Sequence, residues 1–197
     1  MTDVARRVVI AEDEALIRLD LKEMLEDEGY EVVGEVGDGQ AAVDVTTEQR
    51  PDLVIMDVKM PVLDGISAAE RIAEDRIAPV VILTAFSQRE LVERARDAGA
   101  MAYLVKPFTR ADLVPAIEVA QSRFAEIAAL EEEVRDLGDR LETRKLVERA
   151  KAALQEQHDM TEPQAFRWIQ KAAMDRRVPM RKVAEVVLES TSTADKT

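Results

Sequence analysis

Five times between residues 8 and 105 a short apolar run leads into a new element, and the runs are separated by stretches of helical period. The runs are 8–11, 30–36, 53–57, 80–83 and 102–105. Between them, residues 15–28 repeat apolar positions at Leu16, Leu19, Leu21, Met24 and Leu25, a spacing of threes and fours. Residues 40–49, 66–74 and 89–98 read as further helices, and Gly29 and Arg50-Pro51 read as stops. Strand and helix in strict alternation imply an α/β fold with a doubly wound, five-stranded parallel sheet. In such sheets the working site lies beyond the carboxyl ends of the strands.

Those ends carry unusual chemistry. Glu12 and Asp13 follow the first run and Asp57 closes the third. Thr84 follows the fourth, and Lys106 follows the fifth, just before Pro107. Clustered carboxylates at one sheet edge need a cation, and Mg²⁺ suits oxygen ligands while keeping several waters. A carboxylate nucleophile, a metal, a lysine and a hydroxyl together form the parts list for phosphoryl transfer. Each residue alone reads more plausibly as a helix cap or a solvated charge; five at successive strand ends do not.

From Asp112 onward the chain reads as helix. Ile117, Ala120, Phe124, Ile127, Leu130, Val134, Leu137 and Leu141 form a heptad-like stripe with charged residues between them. Two readings stand: a long helix packed back on the first domain, or a coiled-coil neck that joins two chains. Gly138 weakens the stripe by about 1 kcal/mol relative to alanine. Thr161-Glu162-Pro163 starts another helix, and Pro179 opens a last short one.

Charge divides the chain. The net charge is −13, but residues 143–183 hold ten basic and five acidic side chains, a surplus of +5 that leaves −18 for the remainder. An acidic body with a basic late segment fits a nucleic-acid contact confined to that segment. Other chemistries are excluded. With no cysteine there is no disulfide or thiolate, and His158, the single histidine, rules out a His-based triad or a multi-His metal site. No catalytic constellation follows Leu113, so an enzymatic output is not expected. No apolar run reaches the roughly 20 residues of a bilayer span, and no signal-peptide core precedes Arg7, so a soluble cytoplasmic protein without membrane association is expected. Trp168, Met174 and Met180 read as packing or interface residues.

Glu12-Asp13, Asp57, Met60-Pro61, Asp64-Gly65, Thr84-Ala85 and Lys106-Pro107-Phe108 resemble the receiver domain of two-component response regulators over residues 6–122. The resemblance implies a flavodoxin- or CheY-like fold. It implies that Asp57 accepts a phosphoryl group from a histidine kinase, so that the chain is a phosphoprotein. It implies Mg²⁺ held by Asp13, Asp57 and the backbone carbonyl of Lys59, with Glu12 acting through water. Lys106 would pair with the phosphoryl group, Thr84 and Tyr103 would be switch residues, and a cis peptide would precede Pro107. The family more often has Asp where this chain has Glu12, which bears on metal affinity.

A second resemblance covers residues 130–190. The run 144–151, then Leu154, 165–169, 172–174 and 183–186 are similar to an ANTAR domain, a three-helix RNA-binding module of transcription antiterminators. Ala152 stands where that family often has Gly. The combination implies binding to paired RNA stem-loops through unstacked loop bases. Arg144, Arg149, Lys151, Arg167 and Lys171 are the expected RNA contacts, with Arg176, Arg177, Arg181 and Lys182 behind them. The expected organisation is a receiver at 6–122, a helical neck at 117–142, an ANTAR domain at 130–190 and a disordered tail at 191–197. Homodimerisation on activation and an indirect effect on the RNA polymerase elongation complex are expected too. Two rivals are a DNA-binding output and a helical output that docks a protein.

Overall fold

The computed structural model describes residues 6–85 and 89–194. The chain divides into two compact units, 1–128 and 129–197.

Unit 1 carries β1 (Arg6–Ala11), α1 (Ala15–Asp27), β2 (Tyr30–Val36), α2 (Gly39–Gln49), β3 (Leu53–Asp57), α3 (Gly65–Glu74), β4 (Val80–Thr84), α4 (Arg89–Asp97) and β5 (Ala102–Val105). The five strands form one parallel sheet in the order β2-β1-β3-β4-β5. The stretches 8–11, 53–56 and 80–83 of its inner strands are apolar without interruption because both faces are covered. Strand alternation sends Val8, Ile10, Leu53, Ile55, Val81 and Leu83 to one face, where they meet Leu21 and Leu25 of α1 and also Leu113 and Ile117. Val9, Ala11, Val54, Met56, Val80 and Ile82 go to the other face, against Ala68, Ala69 and Ile72 of α3. The strand order reverses between β1 and β3, so a crevice opens at their carboxyl ends.

A single helix, α5 (Arg110–His158), begins in unit 1 and ends in unit 2. The expected neck and the first ANTAR helix are therefore parts of one element, because nothing near residues 141–144 stops a helix. Within unit 2, Leu130 is 55%, Val134 69%, Leu137 56% and Leu141 55% exposed.

The end of α5 packs with α6 (Glu162–Arg176) and α7 (Met180–Ala194). Ala150, Ala165 and Ala184 are fully buried at the centre of this small core, with Ile169 and Leu154 around them. Thr161 is the residue before α6, and its backbone N–H donates to the Gln164 side chain at 2.8 Å, so one group at the helix start is satisfied locally. The helix α7 continues to Ala194, into the segment read as a disordered tail; residues 195–197 lie outside the described residues.

Candidate functional site

Hydrogen-bonded strands bring the sequence-predicted groups of unit 1 together. Ala11 pairs with Met56, and Asp57 with Leu83, so the ends of β1, β3 and β4 are level. Thr84 pairs with Val105, which sets Lys106 beside them. Glu12 is fully buried, Asp57 and Thr84 nearly so, and Asp13 is exposed at the rim. Their carboxylate oxygens lie within 4.8 Å of one another.

Lys106 holds this cluster together. Its Nζ donates to Glu12 Oε2 at 2.6 Å and lies 2.7 Å from Asp57 Oδ1. The Lys59 backbone N–H donates to Asp57 Oδ2 at 2.8 Å, so both Asp57 oxygens are engaged. Burial pushes the Glu12 carboxyl above its usual pKa; the Asp57 charge pushes the same way, and the hydrogen bond from Lys106 opposes both. Burial pulls the Lys106 ammonium down, but hydrogen bonds to Asp57 and Glu12 and their charges outweigh it and hold the lysine above its ordinary range. Three carboxylates against one lysine leave negative charge in excess at a dry sheet edge. A small oxygen-seeking cation fits that donor set.

The loop after β3 is tied to the site through backbone. Asp64 caps α3, its Oδ1 accepting from the N–H groups of Ile66 and Ser67, both at 3.1 Å. Gly65 N–H donates to Val58 O at 2.9 Å. A Cβ on Gly65 would stand 1.9 Å from the Asp57 carbonyl oxygen, so only glycine admits this approach. The Lys106–Pro107 peptide bond is cis. Tyr103 projects from β5 with half of its surface exposed, while Thr84 lies inside the cleft lined by Asp57, Lys59 and Lys106.

Unit 2 presents its cations in two ways. Arg144, Arg149, Arg167 and Lys171 are exposed, and no acidic partner engages them among the described residues; Arg176 and Arg177 are alike. Arg181 and Lys182 are tied to Glu185, and Arg181 also to Asp139. Lys151 departs from expectation. Its side chain is only 8% exposed, and it is clasped by Glu148 at 2.8 Å and by Glu162. The Phe166 ring centroid lies 6.0 Å from its Nζ. Lys151 is a tie between α5 and the first turn of α6, not an open RNA contact in this structure. The i,i+3 partner Glu148 is visible in sequence; Glu162 is brought in by the return of α6. Trp168, expected in the core or at an interface, is 43% exposed, and Met174, expected to pack, is 72% exposed.

Comparison with known proteins agrees with this anatomy. The response regulator receiver domain profile matches residues 8–118, and the ANTAR domain profile matches 135–188. The chain is 72% identical over 190 residues to the transcriptional regulatory protein PdtaR of Mycobacterium tuberculosis, covering 96% of this chain and 93% of that one. Among solved structures, the receiver domain of the response regulator NarL from Mycobacterium tuberculosis aligns with TM-score 0.57 and 29% identity, over 60% of this chain and 97% of that one. The receiver domain of a sensor histidine kinase from Pseudomonas aeruginosa, solved with magnesium coordinated in its active site cleft, aligns with TM-score 0.55 and 33% identity, over 60% of this chain and 99% of that one.

Proposed function

The chain belongs to the response regulators that join a receiver domain to an ANTAR domain, and from that premise we propose a two-component switch that converts phosphorylation of Asp57 into RNA binding and transcription antitermination. The observation that carries this reading is the Lys106 clasp on Glu12 and Asp57 at the β1/β3 crevice. An oxygen of Asp57 attacks the phosphorus of a kinase phosphohistidine. The P–N bond breaks, the imidazole departs, and an acyl phosphate remains on Asp57. Asp13, Asp57 and the Lys59 carbonyl would hold Mg²⁺, with Glu12 acting through water. When bound, the ion supplies positive charge to the phosphoryl oxygens.

Lys106 then exchanges its contact with Asp57 for one with the new phosphoryl oxygens. The added charge of about −1.5 to −2 draws the Thr84 hydroxyl inward, and Tyr103 turns from the surface into the vacated space. The receiver assists its own phosphorylation and dephosphorylation and performs no other reaction.

The exposed heptad residues Leu130, Val134, Leu137 and Leu141 support pairing of two chains along a coiled-coil neck. Two ANTAR domains then meet two stem-loops, with Arg144, Arg149, Arg167 and Lys171 on the phosphates. Holding the stem-loops stops a terminator from forming, which is how RNA polymerase is affected indirectly. Among the described residues no helix is long and apolar enough to cross a membrane, which supports a cytoplasmic setting. The test is acyl-phosphate labelling with Mg²⁺ and a small phosphodonor. Wild type labels and Asp57→Asn does not; full labelling of that variant removes Asp57 as the acceptor.

A further inference from the structure

The α6 helix turns one face inward and leaves the other without a partner. Ala165, Ile169 and Ala173 are buried, with Ala172 packed beside them. Arg167, Trp168, Lys171 and Met174 face away. The indole of Trp168 takes no part in the apolar core of unit 2 and is 43% exposed. A single exposed aromatic is ordinary. Its surroundings are what distinguish this one.

Helix geometry makes Lys171 a neighbour of both Trp168, three residues before it, and Arg167, four before it, with about 5–6 Å between Cβ atoms. Both cations are exposed and neither is ion-paired among the described residues, although Asp175 lies one turn beyond Lys171. Glu148 and Glu162, by contrast, are occupied with Lys151. Positive charge is therefore left open on this face, next to a flat apolar ring. Met174 adds a second apolar surface, 72% exposed. A protein-docking surface buries aromatic anchors among other apolar groups; here the exposed neighbours of Trp168 one helical turn away are the polar Gln164 and Lys171, with Arg167 beside Lys171, which suits a nucleobase flanked by phosphates.

We propose that Trp168 is a stacking platform for an unpaired base of an RNA loop, with Arg167 and Lys171 on the adjoining phosphates. This rests on the RNA-binding reading and names the group that would read the loop. It divides the labour on α6: the cations supply salt-dependent affinity, and the indole supplies affinity that salt does not screen.

The chain has one tryptophan, so its intrinsic fluorescence belongs to residue 168. Full-length protein is titrated with a synthetic RNA of two tandem stem-loops, and affinity is measured separately at several salt concentrations. Fluorescence should change along the binding curve. Trp168→Ala should weaken binding roughly 5- to 100-fold with the salt slope unchanged, and Trp168→Phe should recover most of the loss. Arg167→Gln should instead lower the slope by about 1. The same RNA with abasic loop nucleotides should bind wild type roughly 5- to 100-fold more weakly than the intact RNA does, a comparison that does not depend on the folding of any variant. If wild type binds with silent fluorescence and Trp168→Ala binds equally well, the stacking role is wrong and RNA binding stands. If wild type binds no RNA, both fall. If Trp168→Ala binds RNA normally but loses self-association in sedimentation, the indole is a protein contact and the proposal is overturned.

Discussion

Lys106 and Lys151 have little-exposed side chains, 13% and 8%, and each is gripped by two carboxylates. In unit 1, Lys106 lies between Glu12 and Asp57, whose side chains are 0% and 8% exposed. In unit 2, Lys151 lies between Glu148 and Glu162, whose side chains are 57% and 56% exposed. The lysines are alike; the acids are not. Around Lys106 the acids are held out of water by the sheet and accept from backbone N–H groups, so their excess negative charge is a standing demand for a cation. Around Lys151 the acids remain hydrated, and the pair serves to fasten α6 to α5. Burial of the anion, rather than of the cation, separates a reactive centre from a clamp.

The largest expected effect comes from removing the receiver lysine. Lys106→Met leaves Glu12 and Asp57 facing each other without compensation, and chemical unfolding without divalent metal should show a loss of about 3 kcal/mol. Mg²⁺ should restore part of it by binding the folded state. Lys151→Met keeps an apolar stem and returns two carboxylates to water, so its loss should be a fraction of the other and indifferent to Mg²⁺. Equal losses would erase the distinction.

The rigidity of the dry site is tested at Gly65. Gly65→Ala drives a methyl into the Asp57 carbonyl and should cost about 1–3 kcal/mol, and it should slow phosphorylation at saturating donor because the acceptor's strand end must move. Unchanged stability and rate would mean that the β3–α3 loop yields freely.

Much of unit 1 was legible in the sequence because its groups are fixed by strand ends. An apolar run that stops at Glu12, Asp57, Thr84 or Lys106 places that residue at the sheet edge whatever the loops do. Unit 2 was less so. A helical surface is read from neighbours three and four residues away, and that rule shows Lys151 with Glu148 but not with Glu162, eleven residues on, which arrives through the turn at Asp159. Trp168 shows the same limit from the other side: a tryptophan beside Phe166 and Ile169 reads as core or interface without a choice between them, and the fold puts Ala165, Ile169 and Ala173 in the core and leaves the indole half-exposed. The tertiary fold, not the local pattern, decides which side of α6 is inside.

A smaller effect concerns the cap that positions α3. Asp64→Ala should cost about 1 kcal/mol, and Asp64→Asn only part of it. Burial raises the Asp64 carboxyl, but hydrogen bonds from Ser67 and Ile66 and the charge of Arg94 outweigh it and hold its pKa below the ordinary carboxylate value. A lowered folded pKa means that the cap's stabilisation is full above that ordinary value and is lost as the pH falls through the folded one. Wild type should thus lose stability against Asp64→Asn below about pH 4 and keep a constant margin above it. A constant margin down to strong acid would show that the ionised cap contributes nothing.

The central claim is that the dry carboxylates of unit 1 govern nucleic-acid binding by unit 2. The most direct test is the affinity of the full chain for tandem stem-loop RNA, at fixed salt and Mg²⁺, with and without a small acyl phosphate donor, for wild type and Asp57→Asn. The account predicts that the donor tightens wild-type binding roughly 5- to 150-fold and leaves the variant unchanged. Equal affinity of wild type in both states, or equal tightening of the variant, would contradict it.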